Sequence, residues 1–298
     1  MTNNVCRKTL RTALALACVP AAAAVFFLIA GLAAQEKSIP DHSSFTDCRM
    51  CHAEKYKMWE TTIHSKSIPH ATAAPPHGVP ADADCFGCHT AEGFAARLNK
   101  GRVDPADRKN FQPITCVACH KPGSKANPKQ LVRPPEKICD ECHPQRTVLQ
   151  GRGAKGVEDM RSFHSAVACV SCHMTDARHD MKLIRPDDPG LSEGRRDTCT
   201  LCHKDNNRSA RAKQLTGWQA SYKKAMEPIE ADLAAISAAL KAKPNLLNAA
   251  QKEKLNTVKS NLNIIQRDGS HGAHNIDFAL YIMDLAAKDI KEIKAAIR

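Results

Sequence analysis

The chain has 298 residues, enough for one or two domains, and only 4% of them are aromatic, which is few large flat side chains for a core of that size. The formal net charge is +12. Arg7, Lys8 and Arg11 all precede the first acid, Glu36, so the rest of the chain carries an excess of about +9, scattered rather than clustered, which argues against a nucleic-acid partner.

The N-terminus reads as an export signal. A basic stretch ends at Arg11, an apolar run follows over residues 12–34, and the run closes on the small residues Gly31, Ala33 and Ala34. Signal peptidases cut after such residues. About 23 residues is also long enough to stay in a bilayer, so cleavage and a retained inner-membrane anchor are both open. Cys6 and Cys18 fall inside this leader. Residues 35–47 form a short tether that contains His42.

Beyond the leader every cysteine belongs to a C-x-x-C-H. There are six: Cys48/Cys51/His52, Cys85/Cys88/His89, Cys116/Cys119/His120, Cys139/Cys142/His143, Cys169/Cys172/His173 and Cys199/Cys202/His203. This is the attachment pattern of a c-type haem. Residues at i, i+3 and i+4 share one face of a helical turn, so two thiols reach two vinyl groups while the histidine binds the iron. Zinc ribbons and disulfide frameworks do not require a histidine after each pair. Six covalent c-type haems would supply the flat apolar surface that the aromatics do not, and their propionates would offset much of the positive charge. No cysteine is left for a disulfide.

In chain order, Tyr56, Trp59 and Ile63 after the first site predict a helix whose face packs on a porphyrin and ends at His64. Pro69, Pro75, Pro76 and Pro80 make residues 67–84 a loop, which carries His70 and His77. The second site leads into a short helix over 91–99, with Glu92 in its first turn and Gly101 as its stop. The third and fourth sites bracket L-V-R-P at 131–134, and the fifth and sixth bracket L-I-R-P at 183–186. The two blocks form an internal repeat, with Arg133 and Arg185 as propionate partners. Counted back from those arginines, His179 corresponds to Asn127, so the repeat is not ligand-for-ligand. Successive sites are about 23 to 37 residues apart, too close for separate domains, and the haems share one body.

From about residue 211 cysteine disappears and Ala, Leu, Ile and Lys dominate. Three helices are expected: 213–242, kinked at Pro228; 245–267, capped by Asn245 and closed by Gly269; and one from His274-Asn275 to the end. Ile276, Leu280, Met283, Ala287 and Ile290 give the last a heptad-like seam, broken at Lys294 and resumed at Ile297. Its partner is a helix of this chain or of a second subunit, which would make a homo-oligomer.

Eight histidines stand outside the motifs: His42, His64, His70, His77, His164, His179, His271 and His274. Six haems with histidine on both sides need six of them. His42, His64, His77, His164, His179 and His274 are the best distal candidates, with His70 or His271 as replacements. Such ligation gives lower potentials than Met/His.

Residues 85–203 resemble the five-haem core of the pentahaem nitrite reductases and the octahaem hydroxylamine oxidoreductases. The shared features are L-V-R-P before C-D-E-C-H, then H-S-A-V-A-C-V-S-C-H-M with a trailing His179, a last C-T-L-C-H, and H-N at His274-Asn275 in a helical tail. The first site, with W-E-T-T-I-H, resembles the extra N-terminal haems of octahaem and tetrahaem relatives. The departures matter more. The reductases' catalytic haem usually carries Lys where this chain has His89. Their Tyr three residues after the histidine of the core's third haem is Arg146 here. Their catalytic distal His has no counterpart between Gly151 and Phe163. Tyr222 and Tyr281 are the tail tyrosines available for the oxidoreductases' bond to the catalytic haem, and both suit helix packing.

These readings predict a mainly α multihaem cytochrome c. A haem-packed core with short helices and long loops precedes a C-terminal helical hairpin or three-helix unit. The expected divisions are a signal or anchor over 1–34, a hexahaem domain over 35–211 and a helical domain over 212–298. The expected function is electron carriage outside the cytoplasm in anaerobic-type respiration. Its partners would be a membrane quinol dehydrogenase or other cytochromes. The alternative is a nitrite or hydroxylamine reductase, or hydroxylamine oxidase, acting at the Cys85–Cys88–His89 haem.

Overall fold

The computed structural model describes residues 45–68, 83–193, 196–204 and 207–297. The leader, His42, His70 and His77 lie outside them. The described residues are mainly helical. Their only β pairing is an isolated antiparallel bridge between His120 and Leu131.

The site-bearing part is built of short helices. α1 (Phe45–Cys51) carries the first motif and α2 (Ala53–Glu60) follows it. α3 (Ala83–His89) carries the second and α4 (Ala91–Leu98) follows. α5 (Cys116–Cys119), α6 (Gln145–Leu149) and α7 (Cys169–His173) are one turn or little more. The short helices fit the job, because one turn is all that two thiols and a histidine need to share a face.

The α3–α4 corner shows how tightly this part is made. Thr90 is fully buried; its hydroxyl accepts the Gly93 N–H at 3.0 Å, capping α4, and donates to the Phe86 carbonyl. A Cβ at Gly93 would stand 2.2 Å from the Phe86 carbonyl oxygen, so only glycine fits. Phe94 then packs with Ile114, Ala118 and Ile138 in a small apolar cluster. Trp59 of α2 is buried and donates its indole N–H to the Ile114 carbonyl at 2.8 Å. Ile63 does not continue that face. α2 ends at Glu60, a 3-10 turn follows at His64–Lys66, and Ile63 is left 62% exposed.

Three long helices follow: α8 (Arg208–Ala242), α9 (Ala249–Asp268) and α10 (Ile276–Ala296). α8 runs through Pro228. α9 starts later than expected. Its cap is Asn248, not Asn245, because only Asn248 has a glutamine three residues on, and Gln251 returns the bond to complete a capping box. Gly269, at φ 69°, closes α9 as expected, and Asn275 caps α10 by accepting from Phe278 N–H.

The seam of α10 is in a different phase from the expected one. Ala279, Met283, Ala286, Ile290 and Ile293 are buried, a 4-3-4-3 spacing that shares Met283 and Ile290 with the predicted set, while Ile276, Leu280 and Ile297 of that set pack partly buried at the edge of the same core. Ala287 faces solvent. Lys294 interrupts nothing, since Ile293 fills the core position and Lys294 pairs with Asp232 on α8. The seam's partners, α8 and α9, are in the same chain; their buried residues include Tyr222, Met226, Ile229, Leu262 and Ile265.

That core reaches the site-bearing part through Val148 and Ala154. Asn275 donates to the carbonyls of Val148 and Met160, and Asn261 both accepts from Lys155 N–H and donates to its carbonyl. Gly151, at φ 61°, permits the close return at Met160, whose carbonyl a Cβ would meet at 2.0 Å. The stretch 148–160 is thereby clamped onto the helices just before His164.

Candidate haem sites

Four of the six motif histidines face a second imidazole. Ring centres are 5.8 Å apart for His143 and His64, 6.1 Å for His120 and His179, 6.1 Å for His203 and His164, and 6.3 Å for His173 and His274. A metal–imidazole bond is about 2 Å, so a metal between two imidazoles holds the donor nitrogens about 4 Å apart and the ring centres about 6 Å apart. The residues present therefore fit an iron held from both sides. Burial supports the fit. The pKa of His64 is pushed down to about 4, first by burial and then by His143. Those of His143, His164, His173 and His179 are also lowered, with burial first in each case. A neutral imidazole is the form that ligates.

The pairings follow distance in space rather than in sequence. His64, carried just beyond the first site's helix, faces the fourth site. His179 follows the fifth site and faces the third, and His164 precedes the fifth and faces the sixth. His274 comes from the turn before α10. Among the described residues no imidazole ring pairs with His52 or His89. His271, a replacement candidate, packs 5.5 Å from the Tyr222 ring instead. Tyr222 is buried and donates to the Ile265 carbonyl at 3.3 Å, as a packing tyrosine would, whereas Tyr281 is 43% exposed.

The second nitrogen of several rings is held as well, which fixes ring orientation. His120 Nδ1 lies 3.0 Å from the Lys129 carbonyl and His173 Nδ1 lies 3.3 Å from that of Met181. Lys129 and Met181 stand at the same place in the internal repeat, four residues before Arg133 and Arg185, and both are left-handed, at φ 57° and 55°. The repeat thus preserves a carbonyl acceptor for a motif histidine, at a backbone cost of about 1–2 kcal/mol per residue. Arg133 and Arg185 are engaged in ion pairs, with Glu141 and Asp187.

Thiols of different motifs lie against one another. Cys88 and Cys142, Cys139 and Cys169, and Cys48 and Cys116 are near enough to shift one another's ionisation. Cys119 acts electrostatically on Cys139 and Cys142, and Cys172 feels Cys199 and Cys202. The fourth site is therefore adjacent to the second, third and fifth, while the first adjoins the third and the sixth adjoins the fifth. Apart from Tyr281 on α10, the large exposed hydrophobic side chains among the described residues sit beside these sites: Met50 within the first motif, Ile63 before His64 and Phe163 before His164, with Phe163 102% exposed. A flat apolar group has surface to cover there.

Sequence reasoning missed Arg146 as a structural residue. Its guanidinium pairs with Asp140 at 3.0 Å and donates to the carbonyls of Glu136, Ser165 and Val167, tying the fourth site to the approach to the fifth. It also missed Asp197, fully buried before the sixth site, which accepts from the N–H groups of Cys199 and Thr200 and pairs with Arg208 at 3.1 Å.

Clustered C-x-x-C-H sites with paired imidazoles define a multihaem c-type cytochrome whose haems are held covalently. The comparisons agree with that class. Residues 47–121 match the family described as cytochrome c554 and c-prime, and residues 109–147 match the doubled CXXCH motif family. The chain is similar in structure to the outer cell wall cytochrome OcwA, with 27% identity, a TM-score of 0.66, and 79% of this chain and 50% of that one covered. It also shares its fold with an undecaheme cytochrome from the S-layer of Carboxydothermus ferrireducens, at 23% identity and TM-score 0.57, covering 77% of this chain and 40% of that one. The chain spans half or less of the length of these two proteins. No curated protein matches it.

Proposed function

We propose that the chain is an exported hexahaem cytochrome that carries electrons along closely spaced bis-histidine haems, between a membrane quinol dehydrogenase or another cytochrome and an acceptor outside the cytoplasm. The observation that carries this reading is the set of four facing imidazole pairs, since a site filled from both sides has no position open for a substrate. When bound, the haems supply one-electron carriage. The chain's part is to hold the attachment points close together, in a branched order with the fourth site as the junction and the first, second and sixth as ends. For the first and second sites the remaining distal candidates are His42 and His77, with His70 or His271 as a replacement for either. The division at about residue 211 into a hexahaem domain and a helical domain belongs to the same proposal, as does kinship with the pentahaem nitrite reductases and octahaem oxidoreductases. Arg146 supports the carrier reading within that kinship. Where the reductases place a tyrosine, this chain has a guanidinium committed to Asp140 and three backbone carbonyls.

The alternative, nitrogen-oxide or hydroxylamine chemistry at the Cys85–Cys88–His89 site, draws on one observation: His89 has no facing imidazole among the described residues. Two measurements separate the readings. Mass spectrometry of the matured protein is expected to show six covalent haems. Electron paramagnetic resonance of the oxidised protein, with carbon monoxide added to the reduced form, is expected to show six low-spin haems and no bound ligand. A stoichiometric high-spin signal with one equivalent of carbon monoxide would transfer the assignment to an enzyme centred on His89.

A further inference from the structure

The described histidines opposite or within the motifs differ in what holds their second nitrogen. His64 Nδ1 is buried with no hydrogen-bond partner. His120, His173 and His179 are held by backbone carbonyls, those of Lys129, Met181 and Ala177, at 3.0, 3.3 and 2.9 Å. His274 alone meets a carboxylate: its Nδ1 lies 2.6 Å from Oδ1 of Asp268, whose side chain is 2% exposed.

The carboxylate is itself fixed. Asp268 is the last residue of α9, and Oδ2 accepts from both the backbone N–H and the hydroxyl of Ser270. Ser270 Oγ in turn accepts from His274 N–H at 3.1 Å. The αL turn at Gly269 brings α9's end, Ser270 and His274 together. Oδ1 is left aimed at one acceptor task, and the buried setting makes that charged hydrogen bond strong.

We propose that Asp268 is a positioning residue that sets the potential of the Cys169/Cys172/His173 haem and makes it the lowest among the four sites with facing imidazoles. The inference rests on the axial reading of His274 given above. A carboxylate accepting from Nδ1 raises the electron donation of the opposite nitrogen, and a buried negative charge beside the site also favours the ferric over the ferrous state. The fourth site has no such carboxylate, since His64 Nδ1 is buried without a hydrogen-bond partner. The junction site therefore lies above the fifth in potential, and electrons arriving from the sixth and fifth sites settle toward the branch point. Neither effect requires a proton to be taken up or lost.

The test uses the full haem-loaded protein in a spectroelectrochemical titration, with paramagnetic resonance of the oxidised form. Asp268→Asn is expected to keep every haem low-spin, to raise one low-lying wave among the six one-electron waves so that its reduced-to-oxidised ratio at fixed potential changes about tenfold, ~59 mV, and to move one low-spin signal. Ser270→Ala removes only the Oδ2 support and is expected to leave that wave nearly in place. If Asp268→Asn moves no wave, or Ser270→Ala moves it as far, the proposal is overturned. His274→Ala distinguishes this from failure of the axial reading: one haem turning high-spin upholds His274 as a ligand, and all haems staying low-spin removes it. Should Asp268→Asn fail to mature, the native protein still decides. Its oxidised spectrum is expected to contain one low-spin haem with a stronger axial ligand field than the other three, and its absence refutes the proposal.

Discussion

The imidazole of His64 stands 5.8 Å from that of His143, although His64 follows the first haem site and His143 belongs to the fourth. Trp59 makes this crossing possible. Its indole bond to the Ile114 carbonyl pins α2 against the segment that leads into the third site, and the 3-10 turn after α2 then carries His64 onto the fourth. His64→Ala is accordingly expected to turn one haem high-spin. Combining it with Cys139→Ala and Cys142→Ala, which deletes the fourth attachment, is expected to abolish that signal, whereas combining it with Cys48→Ala and Cys51→Ala is expected to leave it. Paramagnetic resonance of the three proteins reads the result, and the reverse pattern would assign His64 to the first site.

Arg146 holds two motifs in register. It is 15% exposed and makes an ion pair and three bonds to backbone carbonyls. Arg146→Met leaves Asp140 and those carbonyls without their donor, at a cost of about 3 kcal/mol. Arg146→Lys recovers only part of this, because an ammonium cannot reproduce the planar fork. Thermal unfolding of the haem-loaded proteins is expected to rank them native, Lys, Met. Equal midpoints would deny Arg146 this role.

The haem sites were legible because their chemistry imposes a spacing: two thiols and a histidine on one helical turn admit little variation. The long helices were legible from composition and from Gly269 and Asn275. What the sequence could not show is which distal histidine serves which site, since His64, His164 and His179 each face a motif other than the nearest, and only the packing of Trp59 and the 148–160 clamp decides that. The α10 seam was misread by one position for a related reason. Leu280 and Ala287 are as apolar as Ala279 and Ala286, so hydrophobicity alone left two neighbouring stripes, and the positions of α8 and α9 centre the core on one of them, keep Leu280 at its edge and leave Ala287 in solvent. Nothing in a linear sequence marks a carboxylate as buried, so Asp268 and Asp197 did not stand out among the other acids.

Asp197 gives the protein a pH-dependent term near the sixth site. Burial pushes its carboxyl up, but hydrogen bonds from Thr200 and Cys199 and the Arg208 charge outweigh it, and the pKa falls below the ordinary 3.8. A carboxyl whose folded-state pKa is depressed stabilises fully above its unfolded value and loses that contribution as the pH falls through the folded value. Asp197→Asn is therefore expected to be less stable than native by about 1.5–3 kcal/mol at pH 7, with the difference shrinking once the pH drops below about 4. Denaturant melts of both proteins from pH 7 to pH 3 measure it. The comparison cancels other acids, haem propionates included, and a difference that stays constant over that range would rule the carboxylate out as its source.

Two adjacent alanines test the phase of the α10 seam. Ala286 is 3% exposed and packs in the cluster with Ile282, Met283 and Ile290, while Ala287, on the predicted seam, faces solvent. A carboxylate at 286 would have to enter an apolar core shared by α8, α9 and α10, with no cation to meet it among the cluster's residues. Ala286→Glu is expected to cost about 4 kcal/mol or to prevent folding. Ala287→Glu places the same side chain in water on a good helix-forming residue and is expected to change stability by no more than about 0.5 kcal/mol. Because His274 stands just before α10, the Ala286 variant should also loosen the fifth site, visible as a high-spin fraction that rises on mild warming before global unfolding. Equal stability of the two variants would return the seam to the phase read from the sequence and place its partner outside α8 and α9.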